Sequence, residues 1–306
     1  MKELVILGTA AQVPTRDRNH NGYFLRWEDE GILFDPGENT QRQMTFANVA
    51  STSITKIAIT RMHGDHCLGL PGVLMRISLD KSSRPVGIYY PADAQVFYDS
   101  TVRPWKFERD LNLHPQPLDT EGIVARHDNM VISCAPLDHR TPCMGYRIDE
   151  PEARSVCIDA LKTFGLTPGP AIGKLKRDGR LQLDDGRTIC LDDVSVLRPG
   201  QSFAFIMDTR PCENAIKLAR HVDILLCEAT FLENEAHQAH EYYHMTARQA
   251  AILAREAGAK KLILSHFSQR YLTLTEHLAQ AREVFPNTYV ARDLDHFDFP
   301  KRIRSV

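Results

Sequence analysis

The 306-residue chain is 43% hydrophobic and 25% charged, a globular composition with apolar material for one large core or two modest ones. Its 37 Lys and Arg against 39 Asp and Glu exclude a wholly polybasic nucleic-acid binder, though not a local basic patch. Seven scattered cysteines with no Cys-x-x-Cys pair exclude a disulfide framework and a cysteine zinc knuckle, and a reducing, cytoplasmic compartment is expected.

The apolar run from Leu4 to Leu7 breaks at Gly8, too soon for a signal-peptide core. No other run approaches the roughly 20 residues of a membrane span, so no membrane partner is expected. Strands are expected at 4–7, 23–27, 32–34 and 57–60. Gly37-Glu38-Asn39-Thr40 reads as a turn feeding a helix, with Asn39 or Thr40 as N-cap, and a second helix follows Pro71 through Val73, Leu74 and Ile77. Further strands are expected at 86–90, 131–135, 144–148, 203–207, 224–227, 262–264 and 289–291, with helices at 246–257 and 274–284. Many strands with interspersed helices indicate a layered α/β architecture.

Residues 161–180 break this rhythm with four glycines, two prolines and five cations against one acid. Composition alone favours a solvated surface loop. The sharper alternative is a protruding arm whose Lys174, Lys176, Arg177 and Arg180 meet phosphates.

The strongest chemical signal is Thr60-Arg61-Met62-His63-Gly64-Asp65-His66, at the end of an expected strand. Two imidazoles and a carboxylate within four residues suit a borderline metal such as zinc, and Gly64 lets the backbone turn sharply between them. Alone, this would be a polar loop. However, His139, Asp208 and His266 also follow expected strands or strand-like runs, which is how the edge of a sheet gathers a metal cluster from distant positions. Cys67, beside His66, reads as a packed core residue.

With these residues the chain resembles ribonuclease Z, the transfer-RNA 3′-processing endonucleases of the metallo-β-lactamase fold. The resemblance runs from Leu7-Gly8-Thr9-Ala10-Ala11-Gln12-Val13-Pro14 through Phe34-Asp35-Pro36-Gly37-Glu38 and His63-Gly64-Asp65-His66. It continues in Asp208-Thr209-Arg210-Pro211, Glu228-Ala229-Thr230 and His266-Phe267-Ser268-Gln269-Arg270-Tyr271. It implies an αββα sandwich forming a single domain over 1–306, with an inserted flexible arm at about 155–200 that grips the transfer-RNA elbow as an exosite. It also implies two zinc ions per subunit sharing Asp208, one held by His63 and His139, the other by Asp65, His66 and His266. Asp65 would orient the attacking water and accept its proton, and His244 with Glu228 would donate a proton to the leaving oxygen. The implied partners are precursor transfer RNA and a second copy of the chain in a homodimer.

Two departures from the family pattern, Cys227 for a histidine and Met245 for a serine, leave the His244–Glu228 pair intact. The third bears on the metals: Arg61 stands where the family has the first histidine of His-x-His-x-Asp-His. A guanidinium stays protonated and has no lone pair for zinc. It also places a positive charge beside a dication unless it points away; the first metal would keep His63, His139 and Asp208, a weaker but open three-ligand site, and the second metal is untouched. The expectation is a working endoribonuclease with reduced occupancy of the first site. A single-metal or catalytically weak RNA-binding protein is one alternative, and a small-molecule phosphodiesterase of the same fold is another.

Overall fold

The computed structural model describes residues 1–107, 110–167 and 169–300. One compact unit comprises Met1–Asp149 and Ser202–Phe299; a second comprises Glu150–Gln201 with Pro300, and so is inserted in the chain of the first.

The larger unit contains two seven-stranded sheets. The first runs His296–Asp298, Lys2–Gly8, Gly22–Trp27, Glu30–Phe34, Lys56–Ala58, Val86–Pro91, Leu113–Leu118. The second runs Thr288–Val290, Leu262–Ser265, Ile224–Glu228, Ser202–Ile206, Met144–Asp149, Met130–Pro136, Gly122–His127. Successive side chains of a strand point to opposite faces, and this alternation generates the layers. Leu4 and Ile6 share one core with Phe203 and Phe205 of the other sheet, whereas Val5 and Leu7 pack with Leu70, Val73, Leu74 and Ile77 of the helix Leu70–Leu79. Ala204 and Ile206 likewise turn toward Ala250, Ala251 and Ala254 of the helix Ala247–Ala257. The result is helix, sheet, sheet, helix, the expected αββα sandwich.

Strand direction places the chemistry. Glu30–Phe34, Lys56–Ala58 and Val86–Pro91 are parallel neighbours in one sheet, and Ser202–Ile206, Ile224–Glu228 and Leu262–Ser265 in the other. Their carboxyl ends lie at one edge of each sheet, where ligands bind in open α/β sheets. Asp35, the 60–66 segment, Asp208, Glu228 and His266 all stand at those ends.

The inserted unit corrects the loop expected at 161–180. Helices Ile158–Thr163 and Pro170–Asp178 occupy much of it; Pro168 lies outside the described residues. Leu161, Leu175, Ile189 and Val194 form a small core of their own, which a solvated loop does not have. Two of the four glycines that suggested a loop, Gly165 and Gly179, are helix stops. Gly165 adopts φ 72°, and its N–H reaches Lys162 O while Leu166 N–H reaches Leu161 O, a Schellman closure. Gly179, at φ 73°, ends the second helix in the same region of backbone space.

Candidate metal and acid–base centre

The segment 60–66 is not all loop: Gly64–Cys67 is a short helix that carries Asp65 and His66, while His63 precedes it in extended backbone. Packing beneath is tight, since a Cβ on Gly37 would lie 2.3 Å from the Asp65 carbonyl oxygen, so only glycine fits there. Three other residues at strand ends, Asp35, Asp208 and His266, adopt φ of 42°, 49° and 59°. Non-glycine residues rarely hold this conformation, and clusters of them mark functional sites.

Asp65, His66, Asp208 and His266 converge, all buried. His66 Nε2 lies 2.8 Å from Asp208 Oδ2 and 3.2 Å from Asp65 Oδ2; His266 Nε2 lies 3.0 Å from Asp208 Oδ1 and 3.7 Å from Asp65 Oδ2. The far side of each ring is fixed. His66 Nδ1 donates to Asp35 Oδ2 at 2.8 Å, and His266 Nδ1 donates to the Thr230 hydroxyl at 2.8 Å, which itself donates to Glu228 Oε2 at 2.7 Å. Asp65 Oδ2 accepts the Gln12 N–H at 2.9 Å.

These four side chains fit a metal. Both Asp208 oxygens and His266 Nε2 are buried without a hydrogen-bond partner among the described residues, although charged neighbours stand close by. Atoms that crowd without donor–acceptor alignment suit a shared cation, and an imidazole fixed through Nδ1 presents Nε2 as a ligand. Among the described residues, Asp65, His66 and His266 form one group, and Asp208, His244 and His266 another, whose potential ligand atoms lie within 4.8 Å of one another. Electrostatics agree. Burial opposes charge on both imidazoles, but Asp208 and Asp65 outweigh it, raising His66 well above its usual value and His266 to about 9. Burial likewise opposes ionisation of Asp65, yet His66 and His266 hold its carboxyl well below the usual range. Protons retained in this way are what a divalent cation displaces.

The first expected metal set is differently placed. Arg61 is 2% exposed and points into the cluster. Its Nε pairs with Asp208 Oδ2 and its Nη1 donates to His139 Nε2. His139 Nδ1 donates to the Tyr243 carbonyl at 3.1 Å, so the lone pair on Nε2, otherwise free for a metal, receives the guanidinium instead. Burial brings the His139 pKa down to about 4; Asp208 opposes this and the Arg61 charge adds to it. His63 is exposed, belongs to neither group, and has its ring centroid 6.3 Å from that of His139. Of the expected grouping of His63, His139 and Asp208, Arg61 thus contacts the atoms that the last two would offer a metal, while His63 stands outside both groups.

His244 and Glu228 form the expected pair, with Nδ1 3.1 Å from Oε1. Backbone N–H groups of Thr209 at 2.7 Å and Met245 at 3.0 Å steady the two carboxylate oxygens. Burial opposes the charge of Glu228, but His244 outweighs it and keeps the carboxylate ionised. Beside His244 opens a pocket of about 450 Å³ lined by Gln12, Phe231, Tyr242 and Arg270. Phe231 and Tyr242 lie nearly parallel, 17° apart with centroids at 6.4 Å, and the Arg270 guanidinium stands 5.0 Å from the Phe231 centroid.

Cys67 is a core residue, with Sγ 3.2 Å from the His63 carbonyl and its thiol pushed up to about 11 by burial. Lys174, Lys176, Arg177 and Arg180 are all exposed in the inserted unit, three on the helix Pro170–Asp178 and one on the strand Arg180–Gln182. Sequence reasoning assigned no role to Asp35, Gln12, Thr230 or the Tyr243 carbonyl. Gln12, Asp35 and Thr230 sit inside quoted family motifs, which was an available signal; a carbonyl leaves none.

A β-lactamase superfamily domain model matches residues 160–267, and a model of the anti-Pycsar protein Apyc1 matches residues 2–100. The chain is 51% identical over 303 residues to ribonuclease Z of Nocardia farcinica, covering 98% of this chain and 99% of the relative. It is 44% identical over 298 residues to ribonuclease Z of Chlamydia trachomatis serovar L2, covering 97% of each. Among solved structures, the short form of human tRNase Z superposes with a TM-score of 0.70 at 26% identity, covering 98% of this chain and all of that one. A metallo-β-lactamase fold protein from Bacillus subtilis, at 15% identity and TM-score 0.69, shares the fold. The chain belongs to the ribonuclease Z family.

Proposed function

We propose that this chain is a metal-dependent endoribonuclease that removes the 3′ trailer from precursor transfer RNA, leaving a 3′-hydroxyl on the transfer RNA and a 5′-phosphate on the trailer. The observation that carries this reading is identity of 51% along almost the whole chain to a ribonuclease Z. Asp65, His66, Asp208 and His266, drawn from two groups that share His266, would hold a divalent ion, zinc by the nitrogen and oxygen donors they offer. Bound there, such an ion would supply Lewis-acid polarisation of the scissile phosphate and lower the pKa of a water toward neutrality.

The remaining roles belong to the protein. Asp65, kept ionised and held by the Gln12 N–H, orients the attacking water and accepts its proton. His244, tethered through Nδ1 to Glu228, presents Nε2 to the departing 3′ oxygen and supplies its proton. The rings of Phe231 and Tyr242 and the Arg270 guanidinium suit a nucleobase and its phosphate beside the scissile bond. The unit Glu150–Gln201 acts as the exosite, with Lys174, Lys176, Arg177 and Arg180 on phosphates of the transfer-RNA elbow. The working form is a homodimer in the cytoplasm; the cysteines, all unpaired, are consistent with a reducing compartment.

The test is cleavage of a precursor with a defined trailer, followed by end-group analysis. Products with a 3′-hydroxyl and a 5′-phosphate, lost on chelation and restored by zinc, are expected. Hydrolysis of a nitrophenyl phosphodiester with the precursor left whole would instead establish the small-molecule alternative.

A further inference from the structure

The guanidinium of Arg61 lies among the ligands rather than pointing out of the cluster. We propose that it stands in the place of a first metal, so that the centre takes a single divalent ion, on Asp65, His66, Asp208 and His266, beside a fixed organic cation. This deepens the ribonuclease reading, which supplies the ion's purpose; the number of ions rests on the geometry of this chain.

Three observations converge. His139 has one basic lone pair, and the Tyr243 carbonyl fixes it on Nε2, where Arg61 donates to it. Asp208 Oδ2 is paired with Arg61 Nε, and His66 Nε2 stands 2.8 Å from the same oxygen. His63 is the one expected ligand left, and it is exposed and outside both groups. A second dication would have to expel a guanidinium that is 2% exposed and cannot shed its charge. Otherwise it would have to sit against that charge where water screens little.

The other half of the centre keeps His66, His266, Asp65 and one oxygen of Asp208 clear of the guanidinium. His66 is oriented by Asp35 and His266 by Thr230, and Asp208 Oδ1 faces His266 Nε2, away from the pairing with Arg61. The arrangement therefore separates two jobs. One ion would serve the reacting water and phosphate, while the guanidinium holds Asp208 and His139 in place and lends one positive charge where a dication would lend two.

The test counts metal. The purified full chain is saturated with zinc, desalted and analysed by inductively coupled plasma mass spectrometry. About one zinc per chain is expected, rising to about two in Arg61→His and falling to near zero in His66→Ala. A second readout needs no variant: the cobalt-loaded wild type should give the paramagnetic resonance of isolated ions. Two zinc ions per wild-type chain, or an exchange-coupled cobalt pair, would overturn the inference, as would a folded Arg61→His protein that still holds one. Precursor cleavage is followed in parallel. One ion without cleavage counts against the proposed function and leaves this inference standing; two ions with cleavage does the reverse.

Discussion

Asp35 holds His66 from behind: its Oδ2 accepts His66 Nδ1 at 2.8 Å while the same carboxylate accepts the Thr60 N–H at 2.7 Å and hydroxyl at 2.8 Å. All three groups are fully buried, so the carboxylate fixes both the ring orientation and the loop from which the ring hangs. Asp35→Ala should lower metal affinity about 10- to 100-fold, the usual cost of losing a partner that orients a ligating histidine. Competition for zinc against a chromogenic chelator measures it, and unchanged affinity would show that His66 needs no such support.

The His244–Glu228 pair makes a different prediction, because its proposed task is proton delivery. His244→Ala should lower kcat by about 10²- to 10⁴-fold on a precursor whose leaving oxygen needs a proton. His66 and Asp65 keep their partners, so zinc content should stay that of the wild type. Glu228→Gln should fall between the two, since the ring loses its anionic partner but keeps a hydrogen-bond acceptor. A leaving group that departs without a proton, such as nitrophenolate, should restore most of the rate. Equal losses on both substrates would mean that the pair is structural.

Part of this centre is legible in the sequence because several members stand at the end of an apolar strand, and strand ends are visible as breaks in an apolar run. Asp208, Glu228 and His266 are of this kind. The direction of Arg61 is not legible. Whether a guanidinium points in or out depends on where His139 and Asp208 stand, and these are 78 and 147 positions away along the chain. In the fold, the strand Leu113–Leu118 was hidden by Pro115 and Pro117, which its place at a sheet edge tolerates. The inserted unit was obscured for the opposite reason: Gly165 and Gly179 read as loop, although each closes a helix whose leucines form a core.

Replacing Lys174, Lys176, Arg177 and Arg180 together by alanine should raise KM for precursor transfer RNA by at least about tenfold and flatten its dependence on salt, because fewer counterions are released on binding. All four are exposed and outside the small core of their unit, so its folding should survive. Hydrolysis of a nitrophenyl phosphodiester should be unaffected. An equal fall on both substrates would remove the exosite role.

His277 sets an acid limit to stability that is independent of catalysis. The ring is fully buried, edge-on to Phe267 at 5.2 Å and to Tyr271 at 4.6 Å between centroids. Burial, reinforced by the Arg18 charge, lowers its pKa to about 4. The folded state therefore resists a proton that the unfolded chain takes up near its ordinary value of about 6.5. Stability is fully present above that pH and drains away as the pH falls toward 4, by about 3 kcal/mol. His277→Phe keeps an aromatic ring in the same space and has nothing to protonate. Urea unfolding of the two proteins at pH 7.5 and at pH 4.5 isolates the effect, since acid loss of metal is common to both. The variant should lose less stability across that interval; parallel losses would show that the ring gains its proton without leaving the core.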